Sequence, residues 1–158
     1  MPKKKALPAV QREFSRLAKT LANHEVASTE SRRGRGLRRL TETVGLEGGQ
    51  VLNELIKTSP DLTRFIVDFA YGDVLARDVL DARTRMLVVV AALAALGTAQ
   101  PQLTTHMGSA LNCGCTREEI LEVLLVVAVY AGFPAAMNGI TAARDAMGNT
   151  SDRRRRSR

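Results

Sequence analysis

From Asp81 to Gly97 the chain reads "DARTRMLVVVAALAALG", and every residue from Leu87 to Leu96 is apolar. Asp81 fits an N-cap and Gly97 a left-handed C-terminal cap, so the run predicts a helix between them. A helix apolar on every face must be covered, inside a bundle or between subunits. "AQPQLTTHMGSALNCG" predicts a shorter helix, with Pro101 in its first turn and Gly114 as its αL terminator. In "TREEILEVLLVVAVYAG", Thr116 precedes Glu119 by three residues, a capping box ahead of an apolar run. Pro134 then opens a last helix, "PAAMNGITAARDAMG".

Upstream the pattern is weaker. Val10, Phe14, Leu17 and Leu21 recur at helical spacing before "STESRRGRG" breaks the segment. "LEGGQVLNELIKTSP" predicts a short helix through Val51, Leu52, Leu55 and Ile56 that stops before Pro60. "SPDLTRFIVDFAYG" predicts another, opened by Ser59 as N-cap and closed by Gly72. No alternating strand pattern survives. The expected fold class is all-α, built of antiparallel helical hairpins joined by short loops.

Composition agrees and adds the charge distribution. A chain of 158 residues suits one domain, and with no tryptophan and only six Phe and Tyr its core must be Ala, Val and Leu. Residues 1–40 carry 11 Lys/Arg against 3 Asp/Glu, and residues 151–158 carry 5 against 1, while 41–150 carry 7 against 12. The positive charge therefore belongs to the ends. This predicts a basic N-terminal arm over 1–36, partly disordered or helical, a single all-helical catalytic domain over 37–148, and a disordered Arg-rich tail over 149–158. The arms could touch nucleic acid, but no aromatic residues interleave with the arginines, so a solvated extension is the favoured reading. No apolar segment follows the basic start, and "ILEVLLVVAVYAGFPAAM" is interrupted by Glu122 and Pro134, which argues against a signal peptide and a membrane span. Two cysteines in a Cys-x-Cys arrangement cannot staple a fold, which points to a reducing compartment. A cytoplasmic protein is expected.

Candidate chemistry gathers in "HMGSALNCGCTREEILEV". Cys113 and Cys115 flank a turn glycine, where small residues pack a tight interhelical corner; Cys115, just before a helix N-terminus, has some claim to thiolate reactivity. The spacing His-x6-Cys-x-Cys matches no structural zinc pattern, and no metal is expected. His106 lies among Leu103, Met107, Ala110 and Leu111, which suits either a satisfied structural histidine or acid–base work near neutral pH. Glu118 and Glu119 complement a helix N-terminus, whereas Glu122 sits among apolar neighbours and needs a partner. Arg83 and Arg85 are either solvated charges or an anchor for a carboxylate.

"LDARTRMLVVVAALAALG", "LTTHMGSALNCGCTREEILEVL" and "VYAGFPAAMNGI", in this order and spacing, resemble the carboxymuconolactone decarboxylase family, and "FAYGDVLARDVLDARTR" resembles the segment that precedes them in its γ-carboxymuconolactone branch. The likeness covers roughly residues 60–148. It implies an all-helical subunit in a ring of three or six, with active sites near subunit contacts. It also implies decarboxylation of a small anionic lactone through an enolate that is stabilised and protonated in a helix-lined pocket, without metal or organic cofactor. Transferred to this chain, His106 would donate the proton or hold the oxyanion, oriented by Glu122 or Tyr130. Arg85, with Arg83, would anchor the carboxylate, and Tyr130 and Tyr71 would line the substrate; Tyr71 stands where a tryptophan is expected. The same scaffold could run another enolisation-type step, an isomerisation or dehydration in secondary metabolism. A thiol-dependent peroxidase or disulfide reductase is the lesser alternative. In that redox branch the two cysteine slots ahead of the histidine fall on Ala99 and Gln102, and the carboxylate slot falls near Met86.

Overall fold

A computed structural model describes residues 8–22 and 30–156, with side chains for 12–21, 30–44 and 48–148. The remainder of the basic arm and the last two residues lie outside the described residues, as do the side chains of the Arg-rich tail. Among the described residues there is no strand. The chain divides into two units, Met1–Ser31 and Arg32–Arg158. The first contains α1 (Pro8–Ala22), whose Phe14, Leu17 and Leu21 are exposed, with Arg12, Arg16 and Lys19 also at the surface.

The second unit begins with α2 (Arg32–Thr43), α3 (Gly45–Thr58) and α4 (Pro60–Phe65), then a π-helix (Ile66–Leu75). It continues with α5 (Ala82–Leu96), α6 (Gln100–Asn112), α7 (Arg117–Ala131) and α8 (Phe133–Arg156). The boundary at Arg32 takes "RRGRG" out of the arm and into a helix. Its arginines find partners across the fold: Arg33 donates to both oxygens of Asp68 at 3.1 and 2.9 Å, Arg32 pairs with Asp73, and Arg35 Nε donates to the Gly72 carbonyl at 3.1 Å. Local propensity read these residues as a breaker; pairing with the π-helix makes them a helix. Likewise α8 continues to Arg156, through most of the segment expected to be disordered.

The main core fills the space between α5, α6, α7 and α8. Met86, Val90 and Ala94 supply one stripe, Leu103, Met107 and Ala110 a second, and Ile120, Leu124 and Val127 a third, each at i, i+4 or i+3 spacing. Ala135, Ala142, Ala143 and Ala146 let α8 approach closely. Although α5 is wholly apolar from Met86 to Leu96, only one side is buried within the chain: Val88 and Leu96 are exposed. The helix ends follow the sequence. The Asp81 side chain accepts from the Thr84 N–H at 2.9 Å, Gly97 has φ 70°, and Thr116 and Glu119 form a reciprocal capping box. At Gly114 (φ 87°) the Cys115 N–H reaches the Ala110 carbonyl and the Gly114 N–H the Leu111 carbonyl, a Schellman turn that requires the left-handed conformation.

A smaller cluster of Leu40, Val67 and Tyr71 joins α2 to the π-helix. Gly72 does not close a helix there. It sits inside the π-helix because a Cβ would overlap the carbonyl oxygen of Arg32, as a Cβ on Gly36 would overlap that of Val67. The two glycines let the backbones of α2 and the π-helix touch. The Ser59 side chain makes no cap bond; its carbonyl instead accepts from the Thr63 N–H and hydroxyl. No helix among the described residues is long and apolar enough to cross a membrane.

Candidate active site

A pocket of about 470 Å³ opens between α2, α3, the π-helix, α5 and α6. The first four elements contribute mostly apolar walls, including Leu52, Leu55, Ile66, Leu75 and Leu93. From α6 come Gln102, Thr105 and His106, at i, i+3 and i+4, so one stripe of that helix brings polar groups into the pocket. Tyr71, 35 positions earlier in the chain, joins them from the π-helix. The π-helical winding carries a buried tyrosine into the pocket wall, and such irregular turns often mark functional positions.

The two titratable groups are both tuned by burial. Desolvation lowers the His106 pKa below its ordinary value of 6.5, so the neutral imidazole prevails at neutral pH. Its Nδ1 is buried without a hydrogen-bond partner. Desolvation pushes the Tyr71 phenol up to about 12, which keeps it a hydrogen-bond donor throughout the physiological range. A neutral imidazole and a neutral phenol lining one largely apolar cavity can stabilise a negative oxygen as it develops.

The other candidates are placed elsewhere in the single chain. The Arg85 side chain is buried, and its guanidinium donates to the carbonyls of Val74, Arg77 and Leu80, at 3.4 Å to the first and 2.9 Å to the last. It ties the end of the π-helix to the start of α5. Arg83 pairs with Glu119 and donates through Nε to the Gly114 carbonyl at 3.2 Å. Glu122 and Tyr130 are exposed on α7 and do not line the pocket. Ile120 and Leu124 point into the core, and Glu122 stands between them on the opposite side of the helix, so its apolar neighbours in sequence are not its neighbours in space. Both cysteines are free; burial raises each thiol pKa, and Cys115 packs in the main core. No group of three His, Cys, Asp or Glu side chains among the described residues is placed to hold a metal ion. Gln102 and Thr105 were missed in the sequence; their spacing relative to His106 was the available signal.

The fold and the pocket define a helical protein with an imidazole and a phenol set in a largely apolar cavity. The carboxymuconolactone decarboxylase family model matches residues 60–145, which include both Tyr71 and His106. A 4-carboxymuconolactone decarboxylase of Acinetobacter baylyi is 37% identical over 108 residues, covering 68% of this chain and 80% of that protein. An uncharacterized 15.0 kDa protein of Paracoccus denitrificans is 30% identical over 89 residues, 56% of this chain and 66% of its own length. Peroxisomal protein 2 of Schizosaccharomyces pombe is 35% identical over 81 residues, 51% of this chain and 38% of that protein. The chain belongs to the carboxymuconolactone decarboxylase family and lies near its 4-carboxymuconolactone decarboxylase branch.

Proposed function

We propose that the protein is a cofactor-independent carboxy-lyase that decarboxylates an enolisable, anionic lactone in the pocket between α6 and the π-helix. The observation that carries this reading is that His106 and Tyr71, from two different helices, both line that one cavity. Loss of CO2 breaks the carbon–carbon bond to the carboxylate and sends its electron pair through the conjugated ring to the lactone oxygen. One proton then closes the reaction at a ring carbon. A bare buried lone pair is tolerated better than an orphaned buried N–H, so the His106 proton is assigned to Nε2. That N–H and the Tyr71 hydroxyl are the donors for the developing oxyanion; once CO2 has left, one proton from solvent reaches the ring carbon through the imidazole. Until then the walls keep bulk water from the intermediate.

The raised thiol pKa values of Cys113 and Cys115 disfavour the thiolate that a peroxidase or disulfide reductase would use. Large apolar side chains exposed on α7 and α8, including Leu125, Val129, Phe133 and Met137, support assembly into a homotrimer or homohexamer. The reading is tested by following CO2 release from γ-carboxymuconolactone, which keeps a second carboxylate, and from lactone acids whose only carboxylate is the one lost. His106→Ala should lower kcat by roughly 10²–10⁴-fold with helicity unchanged. Turnover that is unaffected by this substitution would remove His106 from the mechanism.

A further inference from the structure

The pocket is divided by chemistry. Its hydrogen-bonding groups come from the α6 stripe of Gln102, Thr105 and His106 and from Tyr71 of the π-helix, while α2, α3 and α5 contribute apolar side chains. The Thr105 hydroxyl already donates to the Pro101 carbonyl at 3.1 Å, which leaves it an acceptor toward a ligand. Beyond this polar strip the cup is formed by such residues as Leu52, Leu55, Leu75 and Leu93. A dry apolar cavity of about 150 Å³ is enough for one benzene ring. At about 470 Å³ this pocket offers room for roughly three times that volume.

From this division we infer that the substrate is an amphiphilic monoacid: an enolisable lactone whose only carboxylate is the one lost, carrying an alkyl or aryl body that fills the leucine-lined cup. The inference rests on the carboxy-lyase reading of the same pocket. The lactone oxygens lie along the α6 stripe and Tyr71, and the body extends between α3 and α5. The departing carboxylate is held in apolar surroundings, where its charge is costly and the dispersed charge of the dienolate less so. The C–C electron pair passes to the lactone oxygen, neutral CO2 leaves, and the ring carbon takes one proton that solvent supplies through the imidazole. A second carboxylate would have to lie in the apolar cup, at the cost of desolvating a charge that the reaction never relieves. The pocket therefore discriminates by body rather than by charge count.

Two non-reacting butenolide series test this on the full-length protein in its native assembly. In one the ring carries straight alkyl chains from methyl to hexyl; in the other it carries a carboxymethyl group. Calorimetric affinity should rise about fourfold per methylene until the cup is filled, and the hexyl compound should bind at least tenfold more tightly than the carboxymethyl one. Affinity that is flat along the alkyl series, or tighter binding of the carboxymethyl probe, would overturn the inference. The second result would mean that cations from outside the described lining complete the pocket. Ala70→Leu, which projects bulk into the cup, should shorten the optimum chain by one or two carbons. Val51→Lys, at the exposed rim, should raise carboxymethyl affinity, and the two variants together guard against loss of fold in either one. Carbon dioxide release is read separately: a chain-length dependence that persists while no lactone acid releases CO2 removes the lyase reading and leaves the ligand class standing.

Discussion

Arg85 shows how a charge in an apolar context divides between structure and function. As a residue type near a helix start it fits a carboxylate anchor, yet in the fold three backbone carbonyls hold its guanidinium. Replacing it with Met leaves those carbonyls short of donors, and a loss on the order of 2–4 kcal/mol is expected in chemical denaturation, with Lys recovering part of it. A raised KM with unchanged stability would instead make Arg85 a substrate contact. His106 was legible because its apolar neighbours at helical spacing implied burial. What it faces was not, since Tyr71 and the α3 and α5 walls reach it only through tertiary packing. Its depressed pKa fixes two pH dependences. As pH falls, the unfolded chain takes up a proton at this site near 6.5 while the folded chain still resists. The stability held above 6.5 is then lost as pH falls toward the lower folded value. The acid limb of kcat/KM, assigned to the same imidazole, is likewise expected below 6.5. A limb above 6.5 that His106→Gln abolishes would contradict the assignment.

At the scale of elements, caps and periodicity carried most of the information. Thr116 with Glu119, Asp81, Gly97 and Gly114 mark the ends of α5, α6 and α7 as the sequence predicts. The π-helix was not legible, because nothing in "IVDFAYGDVL" announces a change of winding; what surrounds it does the work. Arg32 and Arg33 pair with Asp73 and Asp68 along its length, and the backbone of α2 lies against it at two glycines. Those same glycines, read from sequence as breakers, are contact points whose purpose appears only when both helices are in place. Gly36→Ala and Gly72→Ala should each destabilise the protein by roughly 1–3 kcal/mol. They share one crossing, so the double variant should lose less than the sum. Because Tyr71 neighbours Gly72 in the π-helix, both substitutions should also weaken ligand binding in the pocket. Unchanged affinity would show that the crossing supports the fold without positioning the tyrosine.

For the molecule as a whole, the question is what covers the surface that one chain leaves apolar. Along α7 and α8, Leu125, Val126, Val129, Tyr130, Phe133 and Met137 are all more than half exposed, with Val129 on α7 and Phe133 on α8 flanking the Gly132 turn. The sequence anticipated helices too apolar for a lone subunit, but not which side the core would claim: Leu124 and Val127 join the alanines of α8 in one core cluster. Monomers seldom leave so contiguous a patch in water. Sedimentation of the full chain should therefore show three or six copies. Val129→Glu combined with Phe133→Glu buries two charges in the proposed contact and should shift the distribution to monomer, with helicity retained because neither side chain enters the core. Should the double variant sediment as the parent does, this stripe is not the contact. Should it become monomeric and still bind the alkyl butenolides with the parent's affinity, the pocket is complete within one chain and the assembly serves stability alone. A monomer that has lost that binding would make the partner's surface part of the site.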